Sequence, residues 1–187
     1  MKDEIVPGLH PLLAARWSPT MFDPIFELDA DHTELLVEAA RWAPSAGNSQ
    51  PWAFIVSRRG DDAHPRLVRH LAASSARWAP SASVLVANLS HRYVEGTDWE
   101  YSEFAQYDLG QAVAHMTVQA QALGLFARQF RAFDRKALEN EFGVPDHWEI
   151  TTMSAFGRVP DGTGSSARRP LDPARIRRPA GELLWTE

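Results

Sequence analysis

The chain has 187 residues, 44% of them hydrophobic and 23% charged, which excludes a disordered chain and suits one compact domain, residues 1–187, with a core that needs no disulfide or structural metal. It contains no cysteine, so a disulfide framework, a thiolate zinc site, an iron–sulfur cluster and a cysteine nucleophile are all excluded. A formal net charge of −5 argues against a dedicated nucleic-acid binder, although 17 of the 19 basic residues are arginine, the residue suited to planar contact with phosphate and carboxylate.

The N-terminal segment MKDEIVPGLHPLLAARW carries acids early and only a short apolar run, unlike a signal peptide. No apolar stretch approaches ~18 residues, so no membrane partner is expected. Cytoplasmic residence fits these features. Residues 7–16 read as a short helix opened by a proline, and 16–24 as an extended connection. The next helix starts where Asp31 can cap it, with Glu34 as capping-box partner. Leu35, Leu36, Ala39, Ala40 and Trp42 give it an apolar face, and Pro44 ends it. Residues 45–51 are loop chemistry and 52–57 a strand. Residues 65–79 read as a basic amphipathic helix with Arg66, Arg69 and Arg77 on a solvated face. Residues 83–89 read as a buried strand, and 91–104 as a long polar and aromatic loop or lid.

From about 105 to 123 the period is strongly helical. Ala112, Met116, Gln119, Ala120 and Leu123 share a face of mostly small side chains, which suits either close packing with another subunit or an intrachain core. Gly124 is a good terminator. Residues 134–142 form another helix, ended by Val144-Pro145, and 149–157 a strand rich in threonine. Residues 160–174 make a linker, and 175–187 end in a short apolar segment. Alternating helices and strands indicate an α/β or α+β layer architecture.

The most informative stretch is RWAPSAGNSQPWAF, residues 41–54. Ala43, Ser45, Ala46 and Gly47 have little bulk, so a flat ligand can approach the backbone closely. Ser45, Asn48 and Gln50 offer donors and acceptors that can match the alternating edge of a flavin pyrimidine ring. On residues alone, an ordinary helix-to-strand turn with local caps explains the stretch equally well.

APSAGNSQPWAF resembles the FMN-binding turn of the nitroreductase family. RWSPTMFD at 16–23 is similar to that family's N-terminal arginine–serine motif, and YDLGQAVAHMTVQAQALGL at 107–125 to its central helix and Gly-Leu turn. MSAFGRVP at 153–160 and RIRRPAGELLW at 175–185 resemble its late strand and basic C-terminal segment. The resemblance covers residues 12 to 185. It implies an α+β fold: a three-layer α/β/α sandwich with a mixed, mainly antiparallel central sheet flanked by helices.

It also implies an oxidoreductase that passes hydride from NADH or NADPH through FMN to a small acceptor. In that reading Arg16, Trp17 and Ser18 hold the phosphate and ribityl end. Pro44, Ser45, Ala46, Asn48 and Gln50 line the ring, and Gly124 and Leu125 lie near its other edge. Arg175, Arg177 and Arg178 close over the phosphate, unless Arg168 and Arg169, a second Arg-Arg-Pro sequence, do so. One position departs from the pattern. The family motif commonly has a second arginine two residues after the serine, and here that place is Thr20. Losing a charge-assisted contact of this kind costs about 1.5–3 kcal/mol.

The chemistry belongs to the flavin, so no catalytic side chain is expected. A homodimer with FMN at the subunit interface is implied, to which the GELLW segment would add a strand or merely cover its own sheet. His115 on the long helix, and Trp99, Tyr101 and Phe104 in the irregular loop, are candidate substrate contacts. Each has a plainer role: a satisfied helix histidine, and an aromatic patch pinning the loop. The seven histidines show no HxH or HExxH spacing, so a metal site is not expected. A flavin-binding or flavin-sequestering protein without turnover is the competing reading.

Overall fold

The structure, a computed structural model, describes residues 7–160 and 177–185. Its framework is a four-stranded sheet of β1 (Trp52–Arg58), β2 (Val84–His91), β3 (Phe126–Phe130) and β4 (Trp148–Gly157) in the order β1-β2-β4-β3. Among the described residues all three pairings are antiparallel, in line with the mainly antiparallel sheet expected. Successive strand residues face opposite sides, and both faces are apolar because both are covered.

On one face Val84, Val86, Ala127 and Phe156 pack against Leu36 and Ala40 of helix α2 (Ala30–Arg41) and Ala112, Met116 and Ala120 of helix α5 (Ala105–Ala122). On the other, Leu85, Ala87, Ile150 and Met153 meet Leu67 of α3 (Ala63–Val68) and Leu138 of α6 (Arg135–Phe142). Burying each such side chain contributes about 1.5–3 kcal/mol. The result is the expected α/β/α layering, completed by α1 (Pro11–Ala15) and α4 (Ala73–Ala76).

Several sequence expectations need correction. Asp29, not Asp31, caps α2: its Oδ1 accepts from the His32 amide at 2.8 Å. The basic helix over 65–79 is two short helices, because Leu71 leaves the helical path to bridge Phe133 and the Ala72 amide donates to the Ala132 carbonyl at 3.0 Å. Long-range pairing overrides local period there. Arg66 and Arg69 do not form a merely solvated face. Arg66 Nε donates to Glu141 at 2.8 Å, and Arg69 lies 3.8 Å from the same carboxylate. Gly143 ends α6 at φ 61°, one residue before the Val-Pro pair. The small-residue face of α5 forms an intrachain core, with Ala112, Met116 and Ala120 all fully buried.

β3 carried no readable signal. It is a five-residue edge strand whose Arg128 lies over Trp78 at 4.6 Å and donates to the Pro19 carbonyl at 3.1 Å. The C-terminal GELLW neither forms a strand nor covers the chain's own sheet among the described residues. It is a single 3-10 turn, Ala180–Leu183, followed by exposed Leu184 and Trp185.

Candidate functional site

Between α2 and β1 the chain makes one 3-10 turn, Ala46–Asn48, in which three nearby residues have left-handed backbone: Gly47 (φ 58°), Asn48 (φ 55°) and Gln50 (φ 46°). Glycine adopts this freely and asparagine tolerates it, but for other residues it costs about 1–2 kcal/mol. Such strain persists only where surrounding bonds over-determine it, and it concentrates at functional sites.

The bonds are present. The Asn48 amide donates to the Ser45 carbonyl at 3.0 Å, and the Ser49 amide to that of Ala46 at 3.1 Å. Ser45 Oγ accepts from the Gln50 amide at 3.0 Å, and Gln50 Nε2 donates to Asn48 Oδ1 at 3.3 Å. From outside the turn, Asp108 Oδ2 accepts from the Ala46 amide at 3.0 Å, and Tyr101 Oη reaches the Ser49 carbonyl at 3.5 Å. Pro44, Ala46, Gly47, Asn48 and Gln50 are exposed, and Ser45 is half-buried. An exposed run of small residues therefore carries two exposed side-chain amides that bond each other and keep further donors and acceptors, an arrangement able to bond the edge of a planar heterocycle.

Asp108 was missed by sequence reading, which treated residues 107–125 only as a helix. A signal was available: position 108 falls on the same helical stripe as Ala105, Ala112 and Met116, so a carboxylate there had to be buried and held.

The remaining candidates are distributed as follows. Arg16 caps α1 and donates to Ser18 Oγ at 3.4 Å, while Trp17 packs edge-on against Phe126 at 5.4 Å. Thr20 is exposed. Gly124 (φ 72°) turns the chain out of α5, as expected, and is exposed. Leu125 is in the core instead; its amide donates to the Ala120 carbonyl at 2.8 Å and its carbonyl accepts from Gln121 at 2.8 Å. Of that pair, only Gly124 is exposed. Arg177 and Arg178 are exposed in the C-terminal segment; Arg168, Arg169 and Arg175 lie outside the described residues.

The loop 91–104 is held by contacts of its own. Tyr93 bridges Glu100, and the Val94 amide donates to the Trp99 carbonyl at 2.8 Å. Tyr101 stacks on His91 (3.8 Å, 18°), which stacks on Trp148 (4.6 Å, 10°). Burial and neighbouring His147 hold His91 below the usual imidazole range. Tyr101 thus pins the loop, whereas Trp99, at 77% exposure, and Phe104 face solvent, as does His115 on α5. Among the described residues no group of three or more His, Asp or Glu side chains is placed to hold a metal ion.

The sequence model of the nitroreductase family matches residues 13–89. The fold superposes on the crystal structure of an oxidoreductase containing FMN with TM-score 0.85 and 26% identity, over 97% of this chain and 93% of that one. It also matches a protein from Desulfovibrio desulfuricans solved in complex with FMN, with TM-score 0.69 and 25% identity over 95% and 97% of the two chains. An NADH dehydrogenase of Thermus thermophilus is 28% identical over 166 residues, 73% of this chain and 80% of that protein.

Proposed function

The chain belongs to the nitroreductase family, and from that premise we propose that it is an FMN-dependent oxidoreductase which takes hydride from NADH or NADPH and passes it to a small electron-poor acceptor, such as a nitroaromatic or a quinone. The observation that carries this reading is the exposed turn at 44–50, whose left-handed residues include Asn48 and Gln50, both with exposed amides.

The residues present fit FMN. Amides and a hydroxyl on a rigid backbone suit the donors and acceptors of the pyrimidine edge. Ala46 and Gly47 leave room for the ring, and Arg16 with Ser18 supply a cation and a hydroxyl for the phosphate. When bound, FMN supplies the redox chemistry, accepting a hydride from one partner and giving it to the next. The protein's part is orientation and electrostatics. Asn48 and Gln50 would stabilise negative charge on the pyrimidine side, because fixed donors need no reorganisation as charge develops. Arg177 and Arg178, with Arg175 or the pair Arg168 and Arg169, would cover the phosphate.

The same reading makes the active form a homodimer. Its support is the outer face of α5, where Tyr107, Gly110, Ala114 and Val118 are exposed, together with exposed Leu9 and Leu13 of the N-terminal segment and Leu184 and Trp185 of the tail. Patches of this kind mark association surfaces. One open site used in turn by donor and acceptor gives ping-pong kinetics, seen as parallel double-reciprocal lines.

A second reading, a flavin-sequestering protein of the same fold, is favoured by exposed Thr20 where the family motif has its second arginine. The test is to purify the protein, record its visible spectrum, add FMN, and follow NADH and NADPH oxidation with quinone and nitroaromatic acceptors. Bound flavin with acceptor-dependent oxidation supports the enzyme. Bound flavin without turnover on any acceptor supports sequestration. No flavin binding at high FMN concentration rejects both.

A further inference from the structure

We infer that Asp108 is a positioning residue: its buried carboxylate, 62 residues away in sequence, holds the turn at 45–50 in the left-handed conformation that presents Asn48 and Gln50. This rests on the proposed flavin reading for its functional consequence, but not for its structural content.

Asp108 is 1% exposed, and a carboxylate removed from water is destabilising unless bonded. Both oxygens are used: Oδ2 accepts from the Ala46 amide at 3.0 Å and Oδ1 from Gln111 Nε2 at 3.3 Å. The residue lies in the first turn of the 18-residue helix α5, where the helix dipole favours negative charge. α5 is fixed in turn by Ala112, Met116 and Ala120 in the core. Asp108 thus transfers the rigidity of the core to a strained and exposed loop.

The anchored atom also matters. Ala46 is the first residue of the 3-10 turn, immediately before Gly47. Fixing its amide sets the plane of the peptide that leads into the left-handed stretch. Ser45 Oγ secures the far end through the Gln50 amide. The turn is therefore held at both ends, one by its own serine and the other by α5. Burial prevents Asp108 from touching a ligand, so its effect passes through the backbone.

Three variants test this. Asp108→Asn keeps an oxygen for the Ala46 amide and, with the Gln111 amide turned over, satisfies that partner too. Asp108→Leu keeps the branching at Cγ and buries no polar group of its own, but it is bulkier and offers no acceptor. Asp108→Ala adds a cavity. Amide hydrogen exchange is measured at 45–50 and in β2 and β4, alongside FMN affinity and melting temperature. Asp108→Leu is expected to raise exchange at Ala46 and Asn48 and weaken FMN binding by about tenfold to a hundredfold, the loss of one charge-assisted bond. Its β2 and β4 exchange should stay unchanged. Asp108→Asn should restore both readouts to within about threefold of wild type, the neutral bond being somewhat weaker.

Wild-type exchange at Ala46 and wild-type FMN affinity in Asp108→Leu would overturn the inference. So would exchange that rises uniformly across β2, β4 and the turn, since that is general destabilisation. If the wild-type protein binds no FMN, the exchange measurement alone decides the role of Asp108, and the flavin reading is what has failed.

Discussion

Residues 44–50 and residues 177–185 are proposed to meet opposite ends of one ligand, yet only the first are built. The turn is tied to its own serine, to α5 and to the 91–104 loop, and it holds three left-handed residues against their strain. The C-terminal residues are exposed throughout, ending in Leu184 and in Trp185 at 98% exposure. An indole and two leucines in water are unfavourable for a lone chain and call for a covering surface. The difference teaches that, on the proposed reading, the ring half of the site would be held within one chain, while the phosphate half would need ligand or partner to gather its arginines.

Riboflavin, which has the ring but no phosphate, separates the two halves. The largest effect is expected from Asn48→Val, a β-branched residue at φ 55°, which adds roughly 1–3 kcal/mol of strain to the loss of the amide. Titration should show FMN and riboflavin both weakened by a hundredfold or more. Asn48→Gly keeps the backbone and loses only the amide, so both ligands should weaken by about tenfold. A variant that weakens FMN alone would break the assignment of the turn to the ring.

Next in size is Arg16→Ala, expected to weaken FMN by about tenfold to a hundredfold, less at high salt, with riboflavin unchanged. Unchanged FMN affinity would remove Arg16 from the phosphate site. Thr20→Arg should act in the other direction, tightening FMN by about fivefold to tenfold and leaving riboflavin alone. No gain there would show that the phosphate is held elsewhere.

The smallest effect concerns the entry to the turn. Glu38 accepts from Arg41 and from the Trp42 indole at 2.8 Å, bonds that lower its carboxyl to about 2. The folded value lies below the unfolded one. Its stabilising contribution is therefore complete above the ordinary glutamate value of 4.5 and is lost as pH falls through about 2. The Trp42 indole proton resonance should titrate with that midpoint, and Glu38→Gln should abolish the titration.

The legible parts of the fold were those with long-period signals. The helix over 105–123, the strands over 52–57 and 83–89, and the Gly124 terminator follow from patterns that pair with packing. β3 was illegible because a five-residue edge strand carrying Arg128 and Gln129 has too little alternation to register. The expected helix over 65–79 failed because a bridge to Phe133 is a long-range event with no local trace. In the site, residues 44–50 could be chosen from their small size and amides. Their left-handed backbone could be guessed at Gly47 but not at Gln50. Asp108 required knowing that position 108 lies on the buried stripe of α5 and also beneath the turn. Leu125 shows a different limit: a motif position was carried over with its neighbour, and nothing in the sequence signalled that Leu125 is buried while Gly124 is exposed.

The most direct test is a crystal structure of the protein loaded with FMN. The account predicts the flavin ring lying against residues 44–50, its pyrimidine edge within hydrogen-bonding distance of the Asn48 side-chain amide. A ring bound at another surface, with residues 44–50 facing only solvent, would contradict it.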